Sequence, residues 1–313
     1  MIPWSFELLE RYAREQSPFL SLYERFFAPA DDWDWARGEP VPRLEDLLFI
    51  GISIVFPSQI PEALALASWL RARTARAFLA LGGPCIHQIV IHMPSERREW
   101  LFRFVDGVGL FEGEATLCAL LPALAALHGE TDPTLRHAAL AEVPNLLLRD
   151  PSNGQCVIGP RSTVDLRETA PPDYSDLDLD RYLAPSRILL YAPTRGCYWD
   201  KCSFCYYGLS ETATASYREV PPERAALELG QLARRYGVKD FYMSCDVLAP
   251  KYAVRLAEAL LAKGVKIRWS SDLKIEKHFT PERCQLLFRA GLRSAAFGIE
   301  SGSDRILALM RKG

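Results

Sequence analysis

The sequence predicts an α/β protein with two domains, a Rossmann-like domain followed by a partial TIM-type (β/α) barrel. Its 313 residues are about twice the length of an ordinary domain. Strand-length apolar runs alternate with amphipathic helical segments in two separate series, an alternation typical of parallel sheets. A proline-rich stretch lies between the two series. We therefore expect a helical lead over residues 1–45, the Rossmann-like domain over 46–128, a linker over 129–186 and four βα units over 187–313.

Composition and charge argue against several classes of protein. The 37 basic and 39 acidic side chains give a net charge of −2, which disfavours binding to nucleic acid or to an anionic membrane by bulk electrostatics. No apolar run approaches the roughly 18 residues of a membrane-spanning helix. The first residues lack the cleavage site of a secretory signal. We therefore expect a cytoplasmic protein with no nucleic-acid and no membrane partner, in which clustered thiols serve metal or redox chemistry.

The first series predicts parallel strands that are covered on both faces, in a doubly wound sheet. Pro61 suits the first turn of its first helix, and the second strand ends in Gly82 and Gly83. The expected elements are, in chain order, strand 47–56, helix 60–73, strand 78–83, strand 105–111 and helix 112–127. Ligands of such sheets bind beyond the carboxyl ends of the strands. The candidate binding edge therefore holds residues 56–59, 82–84 and 112–114.

The stretch over residues 129–186 is expected to be an ordered linker. It contains seven prolines and the acidic run DYSDLDLD, which break any long element. Two short apolar pieces, LLLRD and GQCVIG, predict a small hairpin within it.

The second series repeats a strand and a helix four times, about 27 residues a unit. Single residues mark the helix boundaries of this series. Gly237, Gly264 and Gly291 are expected at helix ends, and Thr280 is expected to cap a helix start. Function in such a series lies at the carboxyl ends of the strands. Four units cannot close a barrel, so we expect a fragment, a truncated product or an open sheet that needs a partner.

Three of the eight cysteines follow the first strand of this series closely. Cys197, Cys202 and Cys205 have the spacing C-x4-C-x2-C, and thiolates this close converge on one metal centre. Zinc would need a fourth Cys or His near by. A plant-type ferredoxin has this spacing with a distant fourth cysteine, which Cys245 could supply, but those domains lack βα repeats. A purely structural role is also open, and a 4Fe–4S cluster with one open iron is the favoured hypothesis.

The stretch TRGCYWDKCSFC and the closing FGIESGSDRILALMRKG resemble the radical S-adenosylmethionine (SAM) superfamily. More narrowly, residues 46–313 resemble its members with an N-terminal cobalamin-binding domain. The common family spacing is C-x3-C-x2-C, so this chain has one extra residue in the first gap. Phe204 keeps the family's aromatic residue before the third cysteine.

The resemblance implies a mechanism. Cys197, Cys202 and Cys205 would hold three irons, and the fourth iron would chelate the amino and carboxylate groups of SAM. Reduction by an electron donor such as flavodoxin or ferredoxin would cleave SAM to a 5′-deoxyadenosyl radical, which abstracts hydrogen from a small-molecule or peptide substrate. The alternative is a non-catalytic iron–sulfur electron-transfer protein or an inactive fragment.

The cofactor contacts are expected at the carboxyl ends of the strands. Asp246 would lie near the methionyl amino group, and Glu300 with Ser301 near the ribose or the methionyl end, by analogy with the family. Asp272 or Lys274 is a further candidate. An apolar wall near the cluster is expected from four aromatic residues, Trp199, Phe204, Tyr206 and Tyr207.

The first domain resembles cobalamin-binding folds in IGISIVFPSQ, LGGP and VDGVGLFEGEAT. The D-x-H-x-x-G motif that supplies the lower axial histidine is absent, and the lone His87 is interpreted as a surface or capping residue. Cobalamin could still bind with its tail along Gly82 and Gly83. If it binds, methyl transfer to an unactivated carbon is the leading reaction; otherwise the domain positions a substrate or partner. Neither a dinucleotide nor a nucleoside triphosphate fingerprint occurs.

Overall fold

The computed structural model of the chain describes residues 5–27, 43–74, 76–205 and 217–312. It contains two compact units, Met1–Val164 and Asp165–Gly313. The α-helices are α1 (Phe6–Arg11), α2 (Leu20–Phe26), α3 (Ile60–Arg71), α4 (Pro84–His92), α5 (Ser95–Arg98), α6 (Gly113–Ala126), α7 (Pro133–Ala141), α8 (Pro222–Tyr236), α9 (Pro250–Ala262), α10 (Pro281–Arg289) and α11 (Asp304–Leu309). The strands are β1 (Phe49–Ser53), β2 (Phe78–Gly82), β3 (Gly107–Gly109), β4 (Leu146–Arg149), β5 (Cys156–Ile158), β6 (Ile188–Tyr191), β7 (Thr194–Arg195), β8 (Arg218–Glu219), β9 (Asp240–Met243), β10 (Arg268–Leu273) and β11 (Leu292–Phe297).

The first unit is built on a five-stranded sheet in the order β1-β2-β3-β4-β5. The first three strands are parallel, whereas β4 and β5 are antiparallel to their neighbours, so the sheet is mixed. Side chains of β2 alternate between two cores, as the two-residue period of a strand requires. Leu79 and Leu81 pack with α3 and α4, while Phe78 and Ala80 pack with α6 and α7. Helices therefore cover both faces, as the sequence predicted.

The helical lead is attached to α3 through hydrogen bonds to an acidic side chain and through the aromatic contacts of Tyr23 and Phe27 with Trp69. Glu62 accepts hydrogen bonds from Ser17 Oγ at 2.6 Å and from the hydroxyl of Tyr23 at 3.3 Å. Both α1 and α2 fall within the predicted lead, and the pairing with Glu62 explains how such short helices are held.

The segment 129–164 belongs to the first unit, although the sequence assigned it to a linker. Pro133 opens α7 after the side-chain cap of Asp132 rather than breaking a helix. The predicted hairpin is present as β4 and β5, but it extends the sheet beside β3. Asn145, fully buried with φ +59°, donates from Nδ2 to the carbonyls of Glu112 and Ser162. This buried side chain fixes the segment to the end of β3.

The second unit contains a four-stranded parallel sheet in the order β11-β10-β9-β6. Its core holds side chains of β6, β9 and β10 together with α8, α9 and α10. Alternate residues on the other face are exposed, for example Leu190 on β6. The predicted glycines end their helices, with Gly237 and Gly264 left-handed at φ +63° and +64°. Thr280 caps α10 by accepting from the backbone N–H of Arg283.

Among the described residues no helix combines the length and apolarity that crossing a membrane requires.

Candidate functional site

The cysteine loop follows β7 and lies at the carboxyl edge of the parallel sheet in the second unit. Cys197, Cys202 and Cys205 are unpaired thiols of intermediate burial. Burial raises the pKa of Cys202, and the neighbouring thiols of Cys205 and Cys197 raise it further, which places the three close together. Asp200 between them has φ +51°, a backbone conformation that non-glycine residues rarely adopt.

The backbone carbonyls at the end of α11 accept hydrogen bonds from the cysteine loop. The last carbonyl groups of a helix have no partner within it, and here the loop supplies the donors. The backbone N–H of Ser203 donates to the carbonyl of Met310 at 2.9 Å, and Trp199 Nε1 donates to that of Arg311 at 2.8 Å. Ser203 Oγ donates to the carbonyl of Leu309 at 3.2 Å. The cysteine loop and residues 309–312 therefore form one local structure.

Residues that follow β10 also contact the cysteine loop. Glu276 accepts a hydrogen bond from the hydroxyl of Tyr198 at 2.7 Å. Lys274, a buried lysine, lies 3.4 Å from Glu276 and has its ammonium 3.9 Å from the centre of the Trp199 ring. A desolvated cation over an aromatic face is attracted to its quadrupole. Lys274 also lowers the pKa of Cys202, so its charge acts on the cysteine loop.

Asp246 lies beyond the end of β9 and accepts a hydrogen bond from the backbone N–H of Gly196, directly before Cys197. Desolvation raises the pKa of its carboxyl group, although the side chain remains open to solvent. This combination describes an acid in a concave place that a polar ligand can reach.

The neighbouring Cys245 is not arranged as a fourth cluster ligand. Burial raises the pKa of its thiol to about 11, so it stays protonated at neutral pH. Its Sγ lies 3.6 Å from the carbonyl of Met243 and 3.9 Å from Ser271 Oγ. These contacts disfavour the plant-type ferredoxin arrangement.

Glu300 follows β11 in a strained turn. Its φ is +62°, and the backbone N–H of Ser301 donates to the carbonyl of Ile299 at 2.7 Å, which is the hydrogen bond of a γ-turn. Ser301 Oγ accepts from the backbone N–H of Ser303 at 3.1 Å. Glu300 pairs with Lys312 at 3.1 Å. Strained backbone of this kind gathers at functional sites.

Several predicted site residues thus lie along one edge of the sheet. Phe204 is on the cysteine loop, 45% exposed, with the Lys312 ammonium 5.9 Å from its ring centre. Asp272 differs, because it accepts a hydrogen bond from the hydroxyl of Tyr242 at 2.6 Å within the sheet. The predicted aromatic residues Tyr206 and Tyr207 lie outside the described residues.

Comparison with known proteins agrees with this geometry. Residues 191–313 match the family model described as the radical SAM superfamily, a span that holds the cysteine loop and the turn at Glu300. Residues 191–313 are thus similar to a radical SAM domain.

Two curated relatives of this chain are methyltransferases by name. It is 29% identical over 160 residues to an uncharacterized methyltransferase of Pyrococcus horikoshii, covering 49% of this chain and 34% of the relative. It is 31% identical over 149 residues to the bacteriochlorophyllide d C-12(1)-methyltransferase of Chlorobaculum tepidum, covering 46% of this chain and 31% of the relative. The chain matches about a third of the length of each.

The donor set of the radical SAM domain fits the 4Fe–4S cluster that the family implies. Cys197, Cys202 and Cys205 supply three thiolates, and the cations of Lys312 and Lys274 act on Cys202, which compensates the negative charge of a thiolate-bound cluster. In the parts of the chain that the structure describes, no three His, Cys, Asp or Glu side chains are placed to hold a metal ion.

A cavity of about 360 Å³ lies at the carboxyl edge of the first sheet. Gly82, Gly83 and Gly109 line it, with Phe111 and Thr116. Gly83 has φ +98°, and a Cβ there would meet the carbonyl oxygen of Ile54 at 2.6 Å, so only glycine fits. The volume suits a small group rather than a whole corrin ring. Cobalamin would therefore place its tail, not its macrocycle, in this cavity.

His87 does not serve as an axial ligand in this arrangement. Its Nδ1 accepts a hydrogen bond from the backbone N–H of Phe111 at 3.1 Å, so the neutral ring carries its proton on Nε2. Neither nitrogen of this neutral ring is then free to bind cobalt. The imidazole caps the loop after β3, in agreement with the predicted capping role, but it is buried rather than on the surface.

We expect acid to destabilise the first unit through His87. Burial, with the charges of Arg161 and His92, lowers the pKa of His87 to about 4. Because the unfolded state takes up the proton first, this contribution is complete above the unfolded pKa of about 6.5 and is lost as the pH falls from there to about 4. The loss amounts to about 3 kcal/mol. Urea unfolding followed at several pH values measures it.

The matched variant is His87→Asn, whose side-chain oxygen can replace Nδ1 as acceptor without titrating in this range. Its stability should change less between pH 7 and pH 4 than that of the natural chain. Parallel profiles for the two proteins would contradict the assignment.

Two features of the site were missed by sequence reasoning, the contacts of Lys312 and the carbonyl groups of residues 309–311. The one sequence feature that could have indicated these contacts is Lys312, a cation just beyond the last helix, where lysine interacts favourably with the helix dipole. That pattern is common on ordinary helices, so it did not indicate a site.

Proposed function

We propose that this chain is the radical SAM part of a methyltransferase that cleaves SAM reductively and uses cobalamin for methyl transfer. The three-cysteine loop at the carboxyl edge of a parallel sheet carries the proposal. The match to the radical SAM family model supports it, and so do the two relatives named as methyltransferases. The substrate would be a small molecule or a peptide.

The residues of the chain divide the work. Cys197, Cys202 and Cys205 would hold the cluster, which supplies the electron that breaks a carbon–sulfur bond of SAM. Asp246 and Glu300 offer carboxylates to the polar groups of SAM. Phe204 and the Trp199 ring limit access of water to the loop. An external one-electron donor, such as flavodoxin or ferredoxin, would deliver the electron.

Anaerobic reconstitution of the whole chain with iron and sulfide tests the radical SAM part. We expect absorbance and electron paramagnetic resonance (EPR) signals of a 4Fe–4S cluster, with a spectrum that changes when SAM is added. Dithionite should then release 5′-deoxyadenosine. A cluster whose spectrum does not change when SAM is added would instead indicate an electron-transfer protein and would contradict the proposal.

Cobalamin binding is tested by filling the cavity of the first unit. Gly109 lies on the face of β3 that lines the cavity, and a Cβ there would be 3.7 Å from the carbonyl of Leu81, an ordinary contact. We therefore expect Gly109→Val to weaken cobalamin binding at least tenfold without unfolding the unit. The visible spectrum of the protein titrated with hydroxocobalamin measures it.

The smaller Gly109→Ala is the matched control, because it adds one carbon and should weaken binding less. The cluster of the second unit should be unchanged in both variants. Equal affinity in all three proteins would show that the cavity does not hold cobalamin.

A further inference from the structure

The ion pair between Glu300 and Lys312 joins a predicted SAM contact to the cysteine loop. Lys312 Nζ lies 3.1 Å from Glu300 Oε1, and the two side chains are 16% and 32% exposed. The pair packs over Gly298, where a Cβ would lie 2.9 Å from Glu300 Oε1 and 3.0 Å from Lys312 Nζ.

The backbone beside Lys312 is fixed to the cysteine loop. The carbonyls of Met310 and Arg311 accept hydrogen bonds from Ser203 and Trp199, as described above. The ammonium group is also 5.9 Å from the centre of the Phe204 ring, next to Cys205. A lysine side chain is a point charge on a flexible four-carbon stem. Its ammonium can therefore move between Glu300 and the cysteine loop while its backbone stays in place.

We propose that Lys312 couples the binding of SAM to the reduction of the cluster by exchanging partners. Without SAM, its ammonium is paired with Glu300. When polar groups of SAM occupy the Glu300 carboxylate, the ammonium turns toward the cysteine loop beside Phe204 and favours the more negative, reduced cluster. The step is the gain of one electron by the cluster from an external one-electron donor, and no bond forms or breaks. This inference rests on the proposed function.

Lys274 supplies a constant charge rather than a second switch. It is buried and is held between Glu276 and the Trp199 ring. Lys274 is itself a candidate SAM contact, but neither of its two partners is, so the binding of SAM does not have to displace it from either of them. Lys312 is thus the cation whose partner SAM displaces.

Thermodynamic linkage makes the proposal measurable. If a bound ligand raises the reduction potential of the cluster, the reduced protein binds that ligand more tightly by the equivalent factor. We use S-adenosylhomocysteine as the probe, because it keeps the amino, carboxylate and ribose groups of SAM and lacks the sulfonium that reduction cleaves. A tenfold preference for the reduced protein corresponds to a shift of 59 mV for one electron.

The experiment is an EPR-monitored redox titration of the reconstituted whole chain, with and without the probe. We expect the unsubstituted protein to show about a tenfold preference. Lys312→Met should lose it, retaining less than about a twofold preference. Glu300→Gln should have a raised potential before the probe is added, because its lysine is already released.

The control is Lys201→Met, which removes an equal charge from the same loop, 5.2 Å from the Trp199 ring centre, and should keep the full preference. The coupling role is overturned if Lys312→Met keeps the preference, or if Lys201→Met loses it equally. If the unsubstituted protein forms no cluster or binds no probe, the proposed function itself fails. A cluster with bound probe but no dependence on Lys312 rejects the inference alone.

Discussion

Replacing Cys202 with alanine should remove the 4Fe–4S cluster and abolish the release of 5′-deoxyadenosine from SAM. Cys202 is central to the loop, since the thiols of Cys197 and Cys205 both act on its pKa. Two remaining thiolates cannot hold three irons, so the loss should be complete rather than graded. Iron and sulfide analysis, visible absorbance and EPR of the reconstituted chain measure it, and circular dichroism should show that both units remain folded.

Two other cysteines provide matched controls for this result. Cys284 is an exposed free thiol on α10, and Cys284→Ala should keep the cluster and the reaction. Cys245→Ala separates the three-thiolate arrangement from a four-thiolate one: it should keep the cluster, because this buried thiol is held by Met243 and Ser271. A cluster retained in Cys202→Ala, or lost in Cys245→Ala, would contradict the ligand assignment.

The elements of the second unit could be predicted because its sequence carries local signals. A glycine follows each of α8, α9 and α10 within two residues, and two of these glycines have the left-handed conformation that glycine accommodates without a Cβ. The first unit was predicted less completely. Prolines in 129–164 were interpreted as breaks, yet Pro133 opens a helix, and the burial of Asn145 attaches the segment to the sheet. That attachment depends on contacts between residues far apart in the chain, and local sequence patterns do not predict such contacts.

In the candidate site, too, the positions of residues could be predicted from local patterns, whereas contacts between distant residues could not. Asp246 and Glu300 could be placed at strand ends because strand position follows from the hydrophobic pattern. The contacts that hold the cysteine loop could not be placed. Trp199 donates to the carbonyl of Arg311, a partner 112 residues away, and such pairing depends on the packing of complete elements. The hydrogen bond of Asp272 could not be placed from the sequence for a related reason, since its partner Tyr242 lies on the neighbouring strand.

Replacing Arg224 with methionine should give the largest loss of stability in the second unit. Arg224 Nε donates to Glu228 Oε1 at 2.6 Å, and the Glu228 side chain is only 9% exposed. The other nitrogens of Arg224 donate to the carbonyls of Arg167 and Thr169, which ties the segment before β6 to α8. Removing the arginine leaves a buried carboxylate with Tyr191 as a donor. We expect a loss of about 3 kcal/mol in the free energy of unfolding.

A double variant distinguishes the buried charge from a general effect of the substitution. Arg224→Met combined with Glu228→Gln removes the charge while keeping an oxygen that can accept from Tyr191, so it should recover most of the loss. Arg255→Met is the surface control, because Arg255 pairs with Glu219 while half exposed, and exposed pairs contribute about 1 kcal/mol or less. Urea unfolding followed by circular dichroism measures all three. If the double variant were no more stable than Arg224→Met, the unpaired carboxylate would not be the cause, and the lost contacts to residues 167 and 169 would have to account for the change.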